Sequence, residues 1–460
     1  MPAEQTKPAR GMRDFLPEDV RRREHVIGII RRVYERYGFE PLETPAVENL
    51  ETLMGKYGDE GNQLIFKILK RGEHEASGEA DLALRYDLTV PLARVVAQYQ
   101  SKLPKWFKRY QIQPVWRADR PARGRFREFY QCDVDALGST SPVVEADVCA
   151  AVSDVLSELG FAEFTIRINH RQMLTNFLDA AGVPRELHGP ALVTMDKLDK
   201  VGLAEVGREL GDRRIPSEAI KEITSLHESA KYYGSTMQKG AEASIGMLTA
   251  LEEHLTTMAQ SATHDATRNL RSVLEVMVAT SANEHVFYDP FLARGLSYYT
   301  GAIMEINVPD LAGSLGGGGR YDNLVGMFLG QSVPACGFSL GLERILVVMG
   351  ERGMFPANLP KAPADVMVAI LDAGDTPHAL RVAALLRQSG LRVLVYPEAD
   401  KIGKQIKYAD SLGVPFVAIL GGNEIAAGTL TVKNLKAQTQ ATHDQAAAGG
   451  AILEGLRQRG

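Results

Sequence analysis

Hydrophobic residues recur at helical spacing over Val26, Ile29, Ile30, Val33, Tyr34 and Tyr37, which predicts a helix. Pro17 opens it, Glu18 and Asp19 lie at its positive end, and Gly38 is placed to stop it. Phe39 to Val47 then reads as a short extended piece, where Pro45 implies an edge position or an interface. Residues 82–90, LALRYDLTV, alternate in part and lead into a helix after Pro91. Asp87 and Thr89 fall near that helix start, as caps or as ligand contacts.

The alternation is clearest between Lys105 and Asp135. Trp106 to Trp116 and Arg125 to Val134 are rich in aromatic and β-favouring residues. Between them Ala118–Gly124 is a polar loop with Asp119, Arg120, Pro121 and Arg123, so the stretch predicts a long antiparallel hairpin with a basic tip. Side chains alternate across a strand, so Phe129, Gln131, Asp133 and Asp135 share one face, suited to a ligand. Phe126, Glu128, Tyr130, Cys132 and Val134 share the other, mostly apolar face. Arg117 stands at the loop entrance, where a guanidinium can fork onto a phosphate. A sheet edge with solvated arginines would carry the same letters.

Val143–Leu159 reads as a helix ended by Gly160, and Phe161–Asn169 as a strand. From about Arg171 to Ser281 the chain is helical and rich in Leu, Glu and Lys, and strand-like aromatic sequence resumes at Phe287. The run Gly316–Gly319 lacks the Lys-Ser/Thr of a phosphate loop, and reads as a turn that allows close approach to a small ligand, or as a plain hairpin. Residues 335–350 read as a strand turning into a helix with Glu343 and Arg344 in its first turn. A cation there needs an anion, from a salt bridge or a phosphate. After a Pro- and Ala-rich linker the pattern is β-α-β-α-β over 365–420, then a short strand near Thr429–Lys433 and a terminal helix, a separate small α/β domain. Lys401, Lys404 and Lys407 there could contact RNA or form a solvated face.

Composition narrows the class only a little. The 460 residues suffice for two or three domains, and 45% hydrophobic with 24% charged residues is ordinary for soluble globular chains. A net charge of −5 argues against indiscriminate nucleic-acid binding, although Lys102–Arg127 is a local basic patch. Cys132, Cys149 and Cys336 form no CxxC pair, so neither zinc nor a disulfide framework is suggested. No apolar run is long enough to span a bilayer, and the N-terminus lacks a secretory core, which makes the cytoplasm the expectation.

LRYDLTVPLAR, WRADRPARGRFREFYQCDVD, LARGLSYYTG, GGGGRYDNLV and GFSLGLERIL occur in this order. Together they resemble the histidyl-tRNA synthetases, within the class II aminoacyl-tRNA synthetases, over nearly the whole chain. GFEPLETPAV is similar to the class II dimer-interface motif, and KIGKQIKYAD with GTLTVKNL to the anticodon-binding domain. The resemblance implies an α+β fold: a class II antiparallel sheet flanked by helices, a helical insertion, and a C-terminal α/β anticodon-binding domain. The expected boundaries are 1–170 and 282–350 for the catalytic domain, 171–281 for the insertion, 351–364 for the linker and 365–460 for the last domain.

The resemblance also implies the reaction. L-Histidine and ATP, with Mg2+, give histidyl-adenylate, and histidyl then passes to the 3′ end of histidine tRNA on a homodimer. Arg117 and Arg294 are similar to the catalytic arginines, which also hold histidine. Asp119, Arg125, Phe129 and Arg344 complete the ATP site, Phe129 as the ring beneath adenine. Asp87, Thr89 and Gln131 match positions that hold the α-amino group; Asp135, Tyr298 and Tyr299 match the imidazole pocket. No metal ligand is directly assigned. Ser297 stands where many members have Asp, and Asp119 where many class II enzymes have Glu. Two other readings stay open: a relative activating Thr, Pro or Gly, against which LARGLSYYTG and Asp135 argue, and a catalytically silent histidine-binding regulator, against which Arg117, Arg294 and Arg344 argue. Arg120 and Arg123 are candidates for tRNA contact.

Overall fold

The computed structural model describes residues 6–72, 77–236, 239–258, 264–293, 298–309, 311, 313–357 and 359–458. Contacts divide the chain into two compact units, Met1–Met354 and Phe355–Gly460.

In the first unit the chain runs through strands β1 (Glu40–Pro41), β2 (Val47–Asn49), β3 (Lys67–Leu69), β4 (Ala80–Leu84), β5 (Phe107–Trp116) and β6 (Glu128–Leu137). It continues with β7 (Thr165–His170), β8 (Val286–Tyr288), β9 (Ala302–Asn307), β10 (Gly316–Arg320) and β11 (Ala335–Gly341). An eight-stranded sheet has the order β1-β5-β6-β11-β10-β9-β7-β8. Its six inner strands are mutually antiparallel, and the two edge strands β1 and β8 pair in parallel. A smaller sheet has the order β2-β4-β3. Such a sheet, with helices segregated around it, is an α+β architecture.

The hairpin forms as β5 and β6, paired from Phe107↔Leu137 to Trp116↔Glu128. Its second strand starts at Glu128 rather than Arg125, because Arg125 bridges to Ala122 within the loop and the Arg127 N–H donates to Gly11 O. Phe126 therefore belongs to the loop and not to the apolar face. That face, with Cys132 and Val134 wholly buried, is covered by helices Pro17–Arg36 and Val143–Glu158; Tyr34 of the first reaches Cys132 O and Cys149 of the second lies 3.1 Å from Met304 Sδ on β9. The basic patch is partly turned inward: Lys108 pairs with Asp147 at 2.5 Å, and Arg109 is fully buried.

Two expectations need correction. Pro45 lies in the connection between β1 and β2, where its carbonyl accepts from Arg85 at 3.2 Å; the edge-strand proline is Pro41. Gly316–Gly319 is neither a turn nor a hairpin tip but a central strand, paired to β9 and β11. A Cβ on Gly318 would strike Gly337 O and Phe338, and one on Gly319 would meet Ala302 O and the Tyr299 ring. Close approach does require the glycines: neighbouring strands press on Gly318 and Gly319, and Gly316, Gly317 and Gly318 also line a cavity. Gly318→Ala is expected to cost roughly 1–3 kcal/mol through overpacking and to lower the thermal midpoint. An unchanged midpoint would mean the strands yield freely.

Between Arg171 and Met277 the described elements are helices, and contacts group them with the rest of the first unit. The helix after β11 runs from Leu342 to Glu351.

The second unit contains β12 (Val366–Ile370), β13 (Val393–Val395), β14 (Phe416–Leu420), β15 (Thr429–Asn434) and β16 (Thr439–Asp444), in the order β13-β12-β14-β15-β16. The first three pair in parallel around helices Thr376–Gln388 and Ile402–Ser411. Helix Gly422–Ala427 and strand β16, polar and largely exposed, left no hydrophobic period to read. Lys404 pairs with Asp400 at 2.5 Å on an exposed face.

Candidate active site

A cavity of about 800 Å³ opens on the ligand-facing side of β6, within the size range of small-molecule sites. Asp87, Thr89, Arg117, Asp119, Arg125, Phe129, Gln131, Asp135, Tyr298, Tyr299 and Arg344 all line it. Arg294 and Ser297 lie outside the described residues.

Alternation along β6 aims Phe129, Gln131, Asp133 and Asp135 into the cavity. Across the sheet they form rungs: Gln113, Gln131 and Gly341; Gln111, Asp133 and Ser339; Arg109, Asp135 and Gly337. A Cβ on Gly337 would collide with the Asp135 carboxylate, so glycine makes room for it. Arg109 lies 2.9 Å from Asp135 and 3.8 Å from Asp133, and Tyr321 donates its hydroxyl to Asp135 Oδ1. Burial raises the pKa of Asp135 against the opposing Arg109 charge, and raises that of Asp133 to about 7.

Asp87 sits between β4 and the helix Thr89–Tyr99, which begins two residues before Pro91. Arg85 fixes the junction: its guanidinium donates to Pro114 O at 2.8 Å and Thr44 O at 2.6 Å. Asp87 makes the capping contact. Its Oδ1 accepts from the Val90 N–H (3.1 Å) and from Tyr57 (2.9 Å), while Oδ2 is buried without a hydrogen-bond partner. Burial raises its pKa, opposed by the Val90 N–H and by Arg117. Tyr298 bonds Thr89 and is buried, which raises its pKa and keeps the hydroxyl protonated; its ring meets Tyr299 edge-on at 5.0 Å.

The other end of the cavity is basic. Arg117 donates through Nε to Tyr86 O at 3.0 Å, and its guanidinium lies 4.3 Å from the Tyr86 ring and 5.2 Å from the Phe129 ring. Arg344 donates to Ser314 O. Gly124, at φ +69°, brings the loop against Arg344. Glu343 turns inward and accepts from the Tyr130 N–H at 2.9 Å, and burial pushes its pKa up to about 7. Glu305 and Asn307 of β9 also line the cavity. Of Arg120 and Arg123, both exposed, Arg123 pairs with Glu351.

Sequence reasoning put Asp133 on the right face without giving it a part, and missed Arg109, Tyr57, Tyr321 and Ser339. Cross-strand register brings Arg109 and Ser339 to the motif, and turns outside the strands bring Tyr57 and Tyr321. The signal for Arg109 was a lone cation in an inward-facing position of β5.

Such a cavity joins a cationic, ring-lined end to a carboxylate- and tyrosine-lined end. The family model for histidyl-tRNA synthetase matches residues 11–345, and that for the anticodon binding domain matches residues 365–454. The histidine–tRNA ligase of Christiangramia forsetii is 38% identical over 96% of this chain and 98% of its own length. That of Gloeobacter violaceus is 39% identical over 97% and 98%. The crystal structure of histidyl-tRNA synthetase from a Nostoc species matches with a TM-score of 0.78 at 32% identity, covering 98% of this chain and 99% of that one. A Bacillus halodurans structure described as an ATP phosphoribosyltransferase regulatory subunit/histidyl-tRNA synthetase reaches a TM-score of 0.71 at 20% identity, covers 91% of this chain and 99% of that one, and shares the fold alone. Matched in both units and along nearly its full length, the chain belongs to the histidyl-tRNA synthetase family.

Proposed function

We infer that this chain is a histidine–tRNA ligase, which activates L-histidine with ATP and transfers it to the 3′ end of histidine tRNA. What supports this best, beside family membership, is the single cavity joining Arg117 and Arg344 to a carboxylate-and-tyrosine pocket. Histidine's carboxylate is already ionised at neutral pH, so attack on the α-phosphate needs alignment and charge stabilisation rather than a general base. Arg117 takes the α-phosphate, with Arg294 bridging it to the histidine carboxylate. Arg125 and Arg344 take the remaining phosphates and the adenine side with Asp119, and Phe129 stacks under the base. Asp87, Thr89 and Gln131 hold the α-amino group. Asp135 accepts from one imidazole nitrogen and a tyrosine hydroxyl, Tyr298 or Tyr299, serves the other.

Mg2+ takes most of its oxygens from phosphates and needs only one or two from protein. Among the described residues no cluster of three His, Cys, Asp or Glu could hold it alone. Glu305, with Asn307 whose buried Oδ1 has no hydrogen-bond partner, fits that smaller demand. The ion would neutralise phosphate charge beside the arginines.

The same reading includes a cytoplasmic homodimer. Val47, Leu69 and Leu82 of the three-stranded sheet are exposed, in keeping with a subunit contact. No helix among the described residues is long and apolar enough to cross a membrane.

The test is ATP–pyrophosphate exchange, run with histidine beside the other amino acids, and with tRNA charging as a second readout. Histidine alone should support exchange. Truncation after Leu359 should spare exchange within several-fold while charging collapses. Exchange with threonine, proline or glycine would overturn the substrate assignment, and unchanged charging by the truncated chain would overturn the anticodon role.

A further inference from the structure

Among the described residues, the buried oxygens of the cavity lining that lack a hydrogen-bond partner include Asp87 Oδ2, Gln131 Oε1 and Asp133 Oδ1, beside Asp135 Oδ2 and Asn307 Oδ1. Buried polar atoms are rarely left so in a folded protein, so each calls for a partner or a role. Asp87 and Asp133 are only 2% and 1% exposed. Gln131, which lines the cavity, donates through Nε2 to Ser339 Oγ at 2.7 Å, and Ser339 also bonds Asp133. Strand pleating places Asp133 roughly 7 Å from both Gln131 and Asp135 on the same face.

The charges tell the same story. Groups around Asp133 are Arg109 from β5, Asp135 and Cys132 from β6, Arg85 and Asp87 from the junction after β4, Ser339 from β11, Tyr34 from the first helix and Tyr298. Three carboxylates thus share Arg109, with Arg117 acting on Asp87. Among the described residues no N–H donor reaches Asp87 Oδ2, Gln131 Oε1 or Asp133 Oδ1. A primary ammonium supplies one charge and three donors.

We propose that Asp133 is the third acceptor for the α-ammonium of histidine, completing a cradle with Asp87 Oδ2 and Gln131 Oε1. This rests on the cavity being the histidine site. A consequence is proton release. Burial holds Asp133 up at about 7, so near neutrality it is partly protonated before an ammonium binds. When the ammonium enters, the carboxyl O–H bond breaks, its electron pair stays on Asp133, and the proton leaves to buffer. Because the bound ammonium lowers Asp133's pKa, affinity for histidine rises as pH climbs through about 7 and levels off above it.

Calorimetric titration of the full chain at pH 7, in buffers of different ionisation heat, reads this directly. L-Histidine and L-histidinol, which both carry the ammonium, should each release roughly half a proton. Imidazolepropionate has the same ring and no ammonium, and should release distinctly less. Asp133→Asn should abolish the difference and weaken histidine by roughly 10- to 100-fold at pH 8, with a smaller loss at pH 6. Should the analogue bind too weakly to read, that variant decides, since it must remove the histidine-linked release. Equal release from all three ligands, or unaltered release in the variant, overturns the cradle while leaving the ligase reading intact. No histidine binding at all overturns both.

Discussion

Arg117→Ala is expected to lower histidine-dependent pyrophosphate exchange by about 10²–10³-fold, the usual cost of a preorganised donor at developing charge. The side chain is already aimed: Nε is tied to Tyr86 O, and the guanidinium stands between the Tyr86 and Phe129 rings. No reorganisation is needed as charge spreads over the α-phosphate. Arg117→Lys should recover little, because an ammonium can neither fork onto two oxygens nor lie flat against two rings. Measured at saturating ATP, the loss should fall on kcat more than on KM. A deficit under tenfold would remove the α-phosphate role. Arg294→Ala is expected to cost a similar amount, about 3–4 kcal/mol of transition-state stabilisation.

Asp135→Asn should raise the KM for histidine by about 10²-fold or more while ATP affinity changes only a few-fold. The carboxylate meets Arg109 at 2.9 Å and Tyr321 on one side and the cavity on the other. An amide keeps the shape and loses the charge, so imidazole N–H recognition and the Arg109 pair weaken together. Breaking a buried pair costs about 3–5 kcal/mol, some of it in folding. The thermal midpoint must therefore be measured beside the kinetics. Equal losses for histidine and ATP would mean a damaged fold rather than a specificity residue.

Most of this architecture could be read from the chain because its strongest periodic segments are also its structural supports. The hairpin, the first helix, the Val143 helix and the alternating parts of the last unit each carry a local pattern that tertiary contacts reinforce. The glycine strand could not be read, since four residues without side chains show no alternation, and only the pressure of β9 and β11 explains them. The candidate site was legible wherever a motif named a residue, as with Arg117 or Asp135. Arg109, Tyr57 and Tyr321 act from positions that become neighbours of the motif only through cross-strand register or a turn far along the chain. For Arg344 the first-turn position calls for an anion, and the Ser314 carbonyl is one acceptor that meets it.

Gly316, Gly317 and Gly318 line the cavity from the middle of the sheet. Substrates held in this cavity would lie over bare peptide, a surface that offers shape but little chemical preference of its own. Discrimination among amino acids is left to the walls, and any residue gained on this floor would displace substrate or neighbouring strands instead of reading a different one.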